Sequence, residues 1–299
     1  MMITFPHLGN SSIAIKSILD ELDLDYILPP ISNKTSLEIG FREFIRRFTK
    51  ITSKSPKSIK QKFIALKNAY KIITLIDNIE QKLRLLSGYE VIKGECSSLL
   101  NKCKVNVLKS NTIHEMLSTL YKYNDLIYKI KIDKSKTPLK IAIIGEIYTI
   151  LEPFSNLYIE DKLMKYGAST KRYLYPSWWL NNMILSPIKL NSLDIKKLSS
   201  PYLSYSIGGF ARECIGEAIL AKKQGFHGAI QVLPMGCMPE IVSKSILTSI
   251  SKNENFPIMT LVVDELTGEE GFNTRIEAFL DLLERREFSS QSFDRYTIL

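Results

Sequence analysis

The chain has 299 residues, 45% of them hydrophobic and 24% charged, and 40 Lys+Arg against 31 Asp+Glu give it a net charge of +9. A mean hydropathy of -0.01 belongs to a globular protein and excludes a wholly disordered one. No run of about 18 apolar residues occurs, so a membrane-spanning helix is not expected, and Met1–Asn10 lacks the pattern of a secretory leader.

At about 150 residues per domain the length suggests roughly two domains. The first forty residues read as β-α-β. Ile3–Pro6 is a short strand, and Asn10-Ser11-Ser12 offers caps for a helix to about Leu22. Tyr26–Leu28 is a second strand, stopped by Pro29-Pro30. Two strands do not complete a parallel sheet, so this unit is incomplete.

From Phe41 to about Lys131 the pattern is helical. Phe41, Phe44, Ile45 and Phe48 recur at helical spacing. Ser55-Pro56 reads as a cap followed by proline at the first helical position. It opens a long amphipathic helix through Ile59, Phe63, Leu66, Tyr70, Ile73 and Ile76, ending near Ser87-Gly88. Met116, Leu120, Tyr123 and Ile127 mark another helix. The basic charge sits here: residues 41–140 hold 22 Lys+Arg against 8 Asp+Glu, a balance of +14 that leaves -5 for the rest. Such a region is either the footprint of an anionic partner or a solvated helical face. Few aromatics interleave with the lysines, so we favour the second reading and expect no nucleic-acid partner.

The polar junction Lys134–Pro138 marks a boundary, giving units 1–40, 41–138 and 139–299. Beyond it strands alternate with helices: strands at Leu139–Tyr148, Lys171–Tyr175, Gly228–Leu233 and Ile258–Val263, helices at Asn156–Tyr166, Arg212–Gln224, Pro239–Ser251 and Asn273–Arg286. The last dozen residues read as a loose tail. The fold class is α/β, with a C-terminal doubly wound, Rossmann-like parallel sheet.

Ligands of such sheets bind beyond the carboxyl ends of the strands. Those ends carry Glu146 and Glu152, then Cys237 and Glu240, then Asp264, with Gly208-Gly209 ahead of the Arg212 helix. Cys237 lies on a strand-to-helix turn, where helix amides could stabilise a thiolate; equally, it could be a small buried hydrophobe. Cys214 reads as packing, and Cys96 and Cys103 as structural. Four cysteines cannot form a disulfide scaffold, so reduced thiols or metal ligands fit better. Glu213 and Glu217 share a helix face, either at the crevice or in water, with water favoured. Gly208-Gly209 is a permissible but weak anion-binding turn. His7 could face a ligand; His114 and His227 read as surface residues. Neither a zinc pattern nor a nucleophile triad is present.

Gly145-Glu146-Ile147-Tyr148, Ile215-Gly216-Glu217, Cys237-Met238-Pro239-Glu240-Ile241-Val242, Thr267-Gly268-Glu269 and Thr274–Phe279 together resemble the acyl-CoA dehydratase activase-related group (CoA protein activase). That group is similar to the iron-sulfur subunits of 2-hydroxyacyl-CoA dehydratases. The resemblance covers about Pro138–Arg286 and returns at Thr4–Asn10. It implies a cytoplasmic protein of largely anaerobic life that holds a [4Fe-4S] cluster, with Cys237 as the matching ligand. The implied partners are an ATP-dependent activase or a dehydratase subunit, and the implied ligand an acyl-CoA or another anion, with no membrane. In one respect the chain departs from the group. Further cysteines belong just after the segment matching Lys34–Gly40, where this sequence runs directly into Phe41. A cubane takes thiolates at most of its irons, so Cys237 alone does not supply one. Two functions follow: a dehydratase-type or electron-transfer component, or a non-catalytic binding module for an anion or a protein that has lost the cluster.

Overall fold

The computed structural model describes residues 11–26, 55–185 and 193–296. The strand read at Ile3–Pro6, most of that at Tyr26–Leu28, the Phe41–Phe48 repeat and His7 fall outside them.

Among the described residues, four α-helices precede the sheet: α1 (Ser11–Glu21), α2 (Ile59–Leu86), α3 (Glu95–Lys109) and α4 (Ile113–Ile127). α2 begins later than its proline signal suggests. Its cap is Ser58, whose hydroxyl accepts from the Gln61 N–H while the Gln61 side chain accepts from the Ser58 N–H. Ser55 instead donates to the Leu22 carbonyl at 2.9 Å, tying the start of the segment to the end of α1. Ile72, Ile76 and Leu83 of α2 meet Cys96, Leu100 and Cys103 of α3 and Met116 and Leu120 of α4 in one apolar core. A second, smaller cluster joins Ile18 and Leu22 to Ala65, Ala69 and Ile73.

The remaining elements are β1 (Lys140–Gly145), α5 (Ile147–Leu151), α6 (Ile159–Lys165), β2 (Ser169–Arg172), α7 (Pro176–Leu185), α8 (Leu193–Ser199), α9 (Ala211–Lys223), β3 (Gly228–Pro234), α10 (Met238–Asn253), β4 (Ile258–Val263) and α11 (Glu269–Tyr296). The four strands form one parallel sheet in the order β2-β1-β3-β4. Ile143 pairs with Arg172 on one side and Ile230 on the other. The chain moves outward from β1 to β2, then crosses back to β3 and β4, so its direction of travel reverses between β1 and β3. Helices cover both faces. Ile141, Ile143, Ile230 and Val232 pack on α6 and α11, while Ala142, Ile144 and Ala229 pack on α9 and α10. Burial on both sides explains the apolar runs of β1 and β3, the latter interrupted by Gln231.

Two sequence expectations need correction. The strand expected at Lys171–Tyr175 lies at Ser169–Arg172, because its register is set by pairing with Lys140–Ile143 rather than by its own polar composition. The tail is not loose to its end: α11 continues to Tyr296, and after Gly271 in its first turn no Gly or Pro interrupts it.

The helices dock on the edge strand. Ser169 Oγ donates to the Leu85 carbonyl at 2.7 Å, and Ser87 Oγ donates to the Ala168 carbonyl at 2.9 Å. Gly88 lies so close under Pro138 that a Cβ would sit 2.4 Å from its ring. A buried ion network closes the joint. Arg172 of β2 reaches Glu160 of α6 at 2.8 Å and Glu80 of α2 at 3.2 Å. Arg84 of α2 reaches Glu80 at 3.4 Å and also pairs with Asp161. These carboxylates outweigh the cost of burial and hold both guanidinium groups above their ordinary pKa.

Candidate functional site

Chain direction reverses between β1 and β3, and ligands of parallel sheets bind beyond the carboxyl ends of the strands at such a point. Gly145 makes the close approach possible. Its φ is +132°, and a Cβ would lie 2.0 Å from the Val232 carbonyl oxygen, so only glycine lets the backbone pass there. The next N–H, that of Glu146, donates to the same carbonyl at 3.2 Å.

Glu146 caps α5. Its carboxylate accepts from Tyr148 N, Thr149 N and Thr149 Oγ1 at 3.0, 2.8 and 2.8 Å. Glu152 closes the same short helix from a buried position and accepts from the Phe154 N–H at 3.3 Å. Burial, reinforced by these two carboxylates, pushes the Tyr148 hydroxyl up to about 12.

Cys237 is half-buried at the N-cap of α10, with Pro239 following. Of the two readings of this position, helix amides favouring a thiolate or a small partly buried thiol, the balance falls toward the second. Burial raises the thiol pKa, a hydrogen bond from the Glu240 N–H opposes the rise, and the Glu240 and Glu146 charges add to it. Glu146, Cys237 and Glu240 therefore share one electrostatic neighbourhood, as their strand ends predict. Gly208 and Gly209 join them from the α9 side. Both have positive φ, and a Cβ on Gly209 would lie 2.9 Å from Pro239, so this turn packs on the start of α10. Asp264 serves its own exposed turn, accepting from Leu266 N at 2.9 Å and Thr267 Oγ1 at 2.7 Å.

Behind this edge lies a polar cluster whose extent the sequence does not reveal. Glu240 is fully buried. One of its oxygens accepts from Gln231 Nε2 and from Ser243 Oγ, each at 3.0 Å, and the Cys214 thiol also bonds to the carboxyl. Gln231 Oε1 accepts from Thr260 at 3.0 Å, which carries the chain of bonds across to β4. Burial raises the Glu240 pKa. Glu217, expected to face water with Glu213, is instead wholly buried, and neither of its oxygens has a hydrogen-bond partner. Desolvation, followed by the Glu213 and Glu240 charges, raises its pKa well above the carboxylate range. The only sequence signal was a polar residue, Gln231, inside an apolar strand.

Cys96 and Cys103 are buried in the helical core and Cys214 behind the sheet, so Cys237 alone stands at the rim. Among the described residues no group of three His, Cys, Asp or Glu side chains is placed to hold a metal ion. A cubane cluster needs thiolates at most of its irons, and the side chains of this edge do not fit one within a single chain. His227 is no base for the thiol. It accepts from the Lys140 N–H at 2.8 Å, at the amino ends of β1 and β3, the far end of the strands from Cys237. Among the described residues, no helix is long and apolar enough to cross a membrane.

Neither a protein-family model nor a curated protein matches this sequence.

Proposed function

We propose that the chain is a relative of the CoA protein activase and 2-hydroxyacyl-CoA dehydratase group, with residues 139–299 as its doubly wound, Rossmann-like domain, and that it works as a protein-binding module without a cluster. One observation carries the choice of a protein over an anion. Met235, Met238 and Leu266 stand 72%, 67% and 90% exposed on the turns just beyond β3 and β4, beside the acidic edge of Glu146 and Asp264. Exposed apolar side chains next to carboxylates suit a partner surface and repel a CoA phosphate. The natural partner in this reading is an ATP-dependent activase or a dehydratase subunit.

The second reading is a cytoplasmic iron-sulfur electron carrier or dehydratase-type component. It is favoured by the half-buried thiol of Cys237 at the start of a 16-residue helix. Anaerobic reconstitution with iron and sulfide separates the two. The binding-module reading expects a colourless protein with substoichiometric iron. About four irons and four sulfides per cluster, lost in Cys237→Ser, would overturn it.

A further inference from the structure

Part of the basic charge of the helical region surrounds two turns whose outward side chains are apolar. The turns at residues 89–94 and 128–133 are stitched together. Val91 N donates to the Lys131 carbonyl at 2.9 Å, Asp133 N donates to that of Tyr89 at 2.8 Å, and Glu90 and Ile132 form an antiparallel bridge. The Glu90 carboxylate turns inward and caps α3 through Gly94 N and Cys96 N, so its charge is spent inside the fold. What the paired turns present outward is apolar: Val91 is 55% exposed, Ile92 61%, Tyr128 76% and Ile132 40%. Lys93, Lys102, Lys129, Lys131 and Lys134 are exposed around them. The acidic groups of this face are Asp125, Glu95 and Asp133, and the last is engaged by Ser135 N and Oγ.

We infer that this face is a docking surface for an anionic lipid bilayer. Folding leaves these apolar side chains outside a core that is otherwise closed around Leu100, Cys103 and Ile127, although the Tyr128 ring also carries a cation–π contact with Lys82 Nζ, 5.6 Å from its centre. They crown two adjoining turns instead of lining a slot, which lets them enter a headgroup layer while the lysines sit level with its phosphates. An open hollow of about 460 Å³ beside them continues the apolar surface inward to Leu99 and Leu126. Each lysine near an anionic leaflet adds attraction, and buried apolar side chains convert attraction into attachment. This face would rest on the surface of the bilayer.

Co-sedimentation of the full chain with phosphatidylcholine vesicles, with and without about one-third phosphatidylserine, tests the inference. We expect binding only with phosphatidylserine, falling steeply between about 0.1 M and about 1 M salt. The doubly substituted Lys93→Glu, Lys129→Glu chain should bind about tenfold more weakly or worse. Ile92→Asp should cost about tenfold as well. Lys60→Glu with Lys67→Glu, exposed on α2, should change little. All these sites are exposed, and circular dichroism confirms folding of each variant. Equal binding to both vesicle types, or none, would overturn the inference. So would a loss with the lysine variants but not with Ile92→Asp, since that pattern marks a purely electrostatic site for an acidic protein.

Discussion

Replacing Glu217 with Gln should make the protein less sensitive to rising pH. The native carboxyl is wholly buried, has no hydrogen-bond partner, and lies in the fields of Glu213 and Glu240, with Cys214 and Tyr173 as its other titratable neighbours. Its folded pKa is raised well above the ordinary 4.5. The folded chain therefore keeps a proton that the unfolded chain has already lost. Between the unfolded and folded values the unfolded state binds fewer protons, so stability falls as pH rises, by about 1.4 kcal/mol per pH unit for one group. Below the unfolded value this contribution is fully present. Gln carries no such proton. It introduces an amide that needs partners of its own, at a cost of about 1–3 kcal/mol, but that offset is independent of pH. The difference between variant and wild type should thus move in the variant's favour from pH 5 upward, at roughly 3 °C of melting temperature per pH unit. Thermal melts at pH 5, 6, 7 and 8 give the slope directly. Curves that stay parallel across the series would show that Glu217 is not a buried neutral acid, whatever the size of the offset.

Gly145→Ala should destabilise the protein by more than about 3 kcal/mol, because the added Cβ meets the Val232 carbonyl oxygen at 2.0 Å. Gly167→Ala, with φ +81° but open space around it, should cost only about 1 kcal/mol by the same urea titration. Under native conditions at pH 7, iodoacetamide should label Cys237 alone, more slowly than a free thiol and faster as pH rises. Cys96, Cys103 and Cys214 should react only after unfolding, as mass spectrometry of the intact chain would show. Arg84→Met should lower stability by about 3–5 kcal/mol, read from the urea midpoint, since Glu80 and Glu160 would stay buried with one cation fewer.

The α/β character, the four parallel strands and the helices between them were legible because β1, β3 and β4 are largely apolar runs and α9 is stopped by Gly225. β2 was misplaced because Ser-Thr-Lys-Arg has no strand-like composition; only its neighbour β1 specifies it. Ser55-Pro56 misled because a proline signal is local, whereas Ser55 is held by a carbonyl 33 residues away. At the site, position on strand ends correctly grouped Glu146, Cys237, Glu240 and the Gly208-Gly209 turn. The sign of the cysteine's shift was left open by the sequence because it depends on burial and on two carboxylates brought from different elements. Nothing in the spacing of Glu213 and Glu217 says which of them faces inward; α8 lying against Gly216 decides it, with the Ile195 carbonyl 2.4 Å from where a Cβ would be. The pairing of Arg84 and Arg172 with shared acids joins residues far apart in the chain and leaves no local trace.

That shared set of charges has a further consequence for how the molecule comes apart. Glu80 answers to Arg84 on its own helix, to Arg172 on the sheet edge and to Lys104 on a third element. Peeling the helices from the sheet would strand a guanidinium on one side and carboxylates on the other, in a contact region too dry to solvate either until it has fully opened. Denaturation should accordingly proceed in a single step across both halves, and a fragment beginning near Pro138 would keep β2 at its edge but leave Arg172 without Glu80.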